Sequence, residues 1–352
     1  MSEPSMPWPR QLGRLSLIAL GVAVLAGSFA YVAGWIDPQR LSPQRFIDTF
    51  EANAGVYPGY RRAHAKGLCI SGYFDSNGAA ASLSQALVFA PGRVPVSGRL
   101  SIGGSNPHAA DTSVPVRSMA LLFQQADGQQ WRTAMNTPPV LAVGTPEEFF
   151  QQVQAMQPDP ATGKPDPARM QAFFAAHPQS AEFRQWAQGY KPSSSFASST
   201  FNSINAFYLV QADGSRQAVR WSMVPELAPV ALAQQPSDAD ALQHELLARL
   251  GTGAVRWHLL LTLAEAGDAV DDATRQWPAS RRQIDAGTLV IEQARGQLEG
   301  ECHALNFDPL ILPDGIQPSA DPILLARSAA YAESYRRRTR EGTPVATAGA
   351  KP

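Results

Sequence analysis

KGLCISGYFDSNGAAASLSQALVFAPGRVPVSGRLSI, residues 66–102, is the stretch whose texture decides the fold class. Its apolar or alternating runs, Leu68–Phe74, Gln85–Phe89 and Val96–Ile102, are broken by Asn77-Gly78 and Pro91-Gly92. Strand side chains alternate between two faces, and Asn, Gly and Pro favour turns, so this texture predicts antiparallel strands. The pattern continues through Ser118–Gln124. Further on, Ser203–Gln211 and Arg216–Met223 flank Ala212-Asp213-Gly214-Ser215, a hairpin signal, and Val255–Ala264 reads as another strand.

Helical periodicity brackets these strands. Leu41–Ala54 is amphipathic, with Ser42 before Pro43 as a cap and first-turn pair. Pro146–Met156 reads as a helix capped by Thr145, and Pro158–Pro167 as a turn-rich connection. One or two short helices are expected over Pro167–Gln188, a helix over Asp238–Leu250 beginning at Ser237, and a terminal helix over Pro322–Arg340. Ala304–Ile323, rich in Pro and Asp, reads as extended and irregular, and residues 341–352 as a disordered tail. The sum is an α+β fold, a mostly antiparallel sheet long enough to curl into a barrel, with helices collected late in the chain.

Ahead of this domain, Leu15–Ile36 carries no charged residue. At ~1.5 Å per residue a helix of that length crosses a ~30 Å hydrocarbon core. Arg10 and Arg14 precede it, Trp35 is placed as an interfacial anchor, and Asp37 follows. The positive-inside rule then assigns residues 1–14 to the cytoplasm, 15–36 to a single transmembrane anchor, and 37–340 to one domain on the extracytoplasmic, periplasmic side. A cleaved signal peptide is the alternative, although its apolar core is usually shorter, at ~7–15 residues.

Composition excludes several classes. The formal net charge is -1, so no broad field gathers nucleic acid. Cys69 and Cys302 are the two cysteines, and they form no Cys-x-x-Cys pattern. That disfavours a cysteine zinc site and leaves either one disulfide or two buried thiols. Gly103-Gly104-Ser105-Asn106 lacks the Lys and the helix of a phosphate loop, and Gly-x-Ser-x-Gly is absent.

Three segments carry candidate chemistry. His64 stands in Arg61-Arg62-Ala63-His64-Ala65-Lys66-Gly67, where it is either a structural histidine at a strand start or a proton acceptor. Asn136 stands in Asn136-Thr137-Pro138-Pro139-Val140, which is also a competent strand-terminating turn. Arg327 and Tyr331, at i and i+4, share a helix face, where a guanidinium favours the phenolate; otherwise they are an exposed polar pair. His108, His177, His244, His258 and His303 have no constellation around them and read as surface or structural.

Taken in order, these segments resemble haem catalases. Arg-x-x-His-Ala-Lys-Gly resembles the distal-histidine segment, Asn136–Leu141 the distal-asparagine segment, and Arg327-x-x-x-Tyr331 the proximal-tyrosine motif. Arg99-Leu100-Ser101, Asn306-Phe307-Asp308-Pro309 and Asp321-Pro322-Ile323-Leu324 are similar to family stretches. Ser199-Thr200-Phe201 departs from its counterpart by Ser for His. The likeness spans roughly residues 45–338 and is nearest the short catalase-related peroxidases.

That resemblance implies an antiparallel β-barrel of catalase type with surrounding helices, binding haem b. Tyr331 would hold the iron, His64 and Asn136 would act on peroxide, and Ser101 would fix the His64 tautomer. Arg61, Arg99 and Arg338 would meet the propionates, Arg327 would support the tyrosinate, and Phe149 would stack on the porphyrin or serve as helix core. The implied activity is reduction of hydrogen peroxide or organic peroxides with a small organic electron donor, with weak catalase activity. A more open pocket and a simpler homo-oligomer are expected than in large catalases. Alternatives are allene-oxide-synthase-like conversion of fatty-acid hydroperoxides and a non-enzymatic membrane-anchored haem-binding module.

Overall fold

The computed structural model describes residues 8–32 and 41–342. Residues 33–36 of the expected anchor, Trp35 among them, lie outside the described residues, as do 1–7 and the tail from 343. The chain divides into two compact units, Met1–Arg45 and Phe46–Pro352. In the first unit, helix α1 spans Trp8–Val32, and its stretch Leu12–Tyr31 has mean hydropathy 1.8 with no side chain buried. By length and composition it is able to cross a bilayer, and a signal sequence meets the same test.

The second unit is built on one sheet. Its strands are β1 (Gly67–Ser76), β2 (Gly92–Ile102), β3 (Arg117–Gln124), β4 (Gln130–Asn136), β5 (Phe201–Asn202), β6 (Phe207–Val210), β7 (Arg216–Pro225), β8 (Val255–Leu263), β9 (Gln283–Gly296) and β10 (Ile316–Pro318). The order β7-β5-β4-β3-β2-β1-β9-β8 closes on itself because β8 also pairs with β7, giving an eight-stranded antiparallel barrel. Closure leaves no free edge in that ring. β6 and β10 extend from β7 alongside it.

Alternation along the strands sorts the side chains. Leu68, Ile70, Leu100, Met119, Leu121, Phe123, Trp131 and Met135 fill the interior. Trp131 stacks on Phe123 at 4.6 Å and meets Trp221 edge-on at 5.1 Å. Trp221 donates Nε1–H to Thr133 Oγ1 at 3.0 Å, so this large aromatic is buried without stranding its donor. The residues between them, Cys69, Arg99, Ser118, Ala120, Leu122, Ala134 and Asn136, therefore face outward on β1–β4.

Helices α2 (Pro43–Ala54), α3 (Pro146–Ala155), α4 (Pro167–Ala176), α5 (Ala181–Gly189), α6 (Ala241–Leu250) and α7 (Pro322–Glu341) follow the sequence expectation closely. Thr145 and Glu148 form a reciprocal capping box on α3, and Asp321 caps α7 by accepting from Ile323 N at 2.9 Å. Several elements differ from the sequence reading, which names no strand at β4, β5 or β10. Gln85–Phe89 forms a short 3-10 turn rather than a strand, because Val88 N is taken by Gln125 Oε1. α6 starts at Ala241, since Asp238 folds back onto Asp240 N. β9, the longest strand, was not anticipated at all. It pairs with both β1 and β8, and without it the barrel would not close.

The two cysteines form a disulfide, Cys69–Cys302, with Cα atoms 5.3 Å apart. It settles the alternative that the sequence left open and joins β1 to a 3-10 turn, Glu301–His303, just past β9.

Candidate active site on the outer face of the barrel

His64 lies in the irregular segment before β1, with a left-handed φ of 53°. Non-glycine residues adopt that conformation infrequently, so the surroundings must hold it. The hold is visible on both sides. Arg62 pairs with Glu51 of α2 at 2.6 Å and with Glu341 at the end of α7, and Gly59 N donates to the same Glu341 carboxylate at 2.8 Å. Behind it, Lys66 is buried against Asp111 at 3.2 Å, Asp240 at 2.6 Å and two carbonyls.

His64 Nδ1 lies 2.9 Å from Ser118 Oγ and 3.2 Å from the carbonyl of Ile102. A carbonyl only accepts, so Nδ1 carries the hydrogen and Nε2 is left unprotonated. Ser118 Oγ in turn donates to Asn136 Oδ1, which leaves the Asn136 amide hydrogens unspent. Register explains the meeting, because Ser118 and Asn136 are cross-strand partners on β3 and β4. Burial, then Arg99, Arg327 and Arg61, lower the His64 pKa to about 4 against the support of the Ile102 carbonyl. The imidazole is thus neutral at neutral pH. The sequence expectation for its partner, Ser101, is corrected here. Ser101 is buried opposite Gly67 and Ser118, while the hydroxyl on Nδ1 belongs to Ser118.

α7 supplies two further residues. Arg327 donates to Asn205 Oδ1 at 2.7 Å and to the Ala134 carbonyl at 2.8 Å, and its guanidinium lies 5.9 Å from the Tyr331 ring centroid. Asn205 is fully buried and donates to the capping carboxylate of Asp321 at 2.8 Å. One amide thereby ties Arg327 to the start of its own helix. Tyr331 packs with Cys69, Leu122, Cys302 and Phe307. The carbonyl that fixes Arg327 sits two residues before Asn136, so β4 carries both Asn136 and an anchor for α7.

Three further arginines gather there. Arg61 donates to the carbonyls of Cys302 and Leu305 at 2.8 and 2.9 Å, and Arg338 to those of His303 and, at 2.7 Å, Leu305. Arg99 donates to Gln297 Oε1 at 2.7 Å and Ala65 O at 3.1 Å, and its buried Nε has no partner among the described residues. All these partners are neutral. Burial and then repulsion from Arg338 pull Arg99 down to about 9, with Tyr331 opposing. Burial, Arg99 and Arg338 pull Arg61 down in the same way. Buried cations without a counter-anion cost several kcal/mol, about what an incoming carboxylate would recover.

Several of these side chains are enclosed yet not sealed. His64, Arg61, Asn136 and Tyr331 keep part of their surface accessible, although desolvation dominates both His64 and Arg61. Of the expected set, His64, Arg61, Arg99, Arg327, Arg338 and Tyr331 lie close enough to act on one another electrostatically, and Ser118 joins Asn136 to His64. Phe149 makes helix-core contacts instead, stacking on Phe46 at 5.6 Å beside Ala142, Val143 and Phe173.

Sequence reasoning missed four residues of this region. Ser118 and Asn205 are small polar residues within strand-like runs, and only register reveals them. Gln297 follows the unread strand β9. His303 was read as structural, yet burial and the three arginines Arg338, Arg61 and Arg99 lower its pKa to about 4.

Residues 44–346 match the sequence model of a family described as Catalase. The catalase-related peroxidase of Synechococcus elongatus is 34% identical over 326 residues, covering 92% of this chain and 96% of that one. A protein of the same name from Mycolicibacterium paratuberculosis is 32% identical over 303 residues, covering 85% and 95%. Among solved structures, a bacterial catalase superposes with TM-score 0.72 at 20% identity over 79% of this chain and 57% of its own. Catalase A of Saccharomyces cerevisiae gives 0.72 at 20% over 79% and 61%. The chain therefore spans about three fifths of those structures, and at such identity they speak for the barrel alone.

Proposed function

The chain belongs to the catalase family, and on that premise we propose a haem-dependent peroxidase that reduces hydrogen peroxide or organic peroxides with an organic electron donor. It is an oxidoreductase of peroxidase or catalase type, acting on peroxide. The observation that carries the finer reading is the His64–Ser118–Asn136 chain, in which one hydroxyl joins an imidazole with an unprotonated nitrogen to an amide donor.

The residues fit haem b. The orphaned Arg99 Nε and the absence of a carboxylate among the partners found for Arg61, Arg99 and Arg338 suit two propionates. Tyr331, with Arg327 against its ring, would hold the iron through its phenolic oxygen. Haem supplies the iron centre that accepts oxidising equivalents from peroxide and passes them to a donor. His64 Nε2 takes the proton from one peroxide oxygen and returns it to the other, which lets the departing oxygen leave as water. Its low basicity makes the return favourable. Asn136 orients the peroxide through its amide hydrogens. Ser118 holds both residues in register.

In this reading residues 15–36 are a membrane segment that anchors 37–340 on the extracytoplasmic side of a bilayer. The Cys69–Cys302 bond supports that side, since disulfides persist in oxidising compartments. The test uses detergent-solubilised full-length protein. The absorption spectrum is expected to show a high-spin ferric signature that is lost or displaced in Tyr331→Phe. Peroxide-driven oxidation of a phenolic donor is expected to fall by about 10²–10⁴ in His64→Ala. An unchanged spectrum removes Tyr331 as ligand, and undiminished donor oxidation removes His64 as the proton carrier.

A further inference from the structure

We infer that the Cys69–Cys302 disulfide is the positioning clasp of the cofactor cradle, so that the chain retains haem firmly only after it has folded where that bond can form. The inference rests on the haem reading above. It begins from the segment after β9. The turn around Cys302 is held by short-range backbone bonds, among them Gly300 N to Gly296 O, His303 N to Gly300 O and Leu305 N to Cys302 O. The backbone leads into it from β9, and its covalent cross-link to β1 is the disulfide. Yet this turn carries the carbonyls of residues 302, 303 and 305, which aim Arg61 and Arg338.

The third arginine is tied to the same clasp from the strand side. Arg99 is the cross-strand partner of Cys69, and its hydrogen-bond acceptor Gln297 lies in the run that leads to the turn. Tyr331 packs against the cluster that contains both cysteines. One covalent bond therefore fixes the spacing between the turn that directs two guanidiniums and the strand pair that bears the third. These guanidiniums repel one another, so the cradle stores a force that opens it. The sequence also makes room for the clasp. A side chain at Gly300 would place its Cβ 2.5 Å from Cys69 Cβ and 2.6 Å from Sγ, closer than a closed bridge tolerates.

The chemistry is thiol–disulfide exchange. Two thiols surrender two electrons and two protons to an oxidised dithiol donor and become joined. A reduced dithiol reverses this by attacking one sulfur and leaving as its own disulfide. Both cysteines are buried, so the folded bond is shielded and the decisive moment is folding itself. The device is a compartment lock rather than a rapid switch.

The test measures haem release from the full-length holoprotein to excess apo-globin, followed in the Soret band well below the melting temperature. Compared are the wild type, wild type refolded with dithiothreitol, Cys69→Ala/Cys302→Ala, Gly300→Ala, and Asp268→Asn, which removes an ion pair to Arg281 elsewhere. Release is expected to be at least about tenfold faster in the first three altered forms and unchanged in Asp268→Asn, and the rise in Tm on adding haem should shrink with it. If the double variant fails to fold, Gly300→Ala and the refolded wild type carry the comparison. Equal release rates overturn the inference, as does a parallel fall of apo and holo Tm with no change in release, which would mark a bond that stabilises without positioning. Free thiols in air-purified wild type also overturn it. Wild type that takes up no haem overturns the haem reading itself, and this inference with it.

Discussion

Ser118 Oγ lies 2.9 Å from His64 Nδ1, and the same hydroxyl donates its hydrogen to Asn136. The hydroxyl cannot donate in both directions, so its commitment to Asn136 makes it an acceptor toward the imidazole. Ser118→Ala deletes that node and leaves the Ile102 carbonyl as the remaining partner on Nδ1. The reaction with peroxide is expected to slow by about 10–100-fold at unchanged haem content, because a reacting group misplaced by ~1 Å loses about that much. Stopped-flow mixing with hydrogen peroxide checks it, and a full-speed variant would show that register alone holds the pair.

His64 also sets a pH dependence. Its pKa is lowered to about 4 in the folded chain against about 6.5 when unfolded. Between those values the unfolded state binds the extra proton, so stability falls as pH drops from about 6.5 toward 4, and this group costs nothing further below that. His303, also at about 4, adds in the same direction. Peroxide reactivity that needs a neutral His64 should stay level down to about pH 5 and then fall. A rate profile that bends near 6.5 instead would remove the buried, arginine-faced environment as the cause.

Asn205 joins Arg327 to Asp321. Asn205→Leu keeps the volume and removes one partner from each charged group, leaving Arg327 on the Ala134 carbonyl and Asp321 on the Ile323 N–H, and burial already raises the Asp321 pKa. Leaving atoms of a buried polar network unsatisfied in this way costs about 1–3 kcal/mol, and more where the group is charged. Urea titration at pH 7 should show a matching loss in midpoint, together with weakened iron ligation in the spectrum, since the cation beside Tyr331 is released.

Gly67 begins β1, three residues after His64. A Cβ there would lie 2.2 Å from the Leu100 carbonyl and 2.8 Å from Ser101 Cβ. Backbone atoms in a paired strand cannot yield cheaply, so Gly67→Ala should cost about 1–3 kcal/mol. It should also lower peroxide reactivity by moving the His64 segment. Denaturation and kinetics together check both parts, and a neutral effect would mean that the β1–β2 pair opens freely at this end.

Much of this was legible from residues alone, for identifiable reasons. His64, Asn136, Arg327 and Tyr331 stand in segments whose order and spacing are distinctive, and α3 and α7 carry their caps in the sequence. β9 was not, because Gln283, Asp285, Glu292, Gln293 and Arg295 dilute its apolar pattern and Gly287 interrupts it with a φ of 138°. Ser118 rather than Ser101 beneath the imidazole depends on which outward-facing serine the loop reaches, a choice made by tertiary register. The disulfide likewise required knowing that residues 233 apart meet.

The way the barrel closes has a temporal consequence. β1 lies between β2 and β9, and β9 leaves the ribosome more than two hundred residues after β1. One edge of the first strand therefore waits, unpaired, through most of the chain's synthesis. Contacts so distant in sequence form late and slowly, and an open strand edge invites association with other chains while it waits. Keeping the nascent chain apart from its siblings until residue 296 has emerged should raise the yield of soluble protein more than any change made to the mature surface.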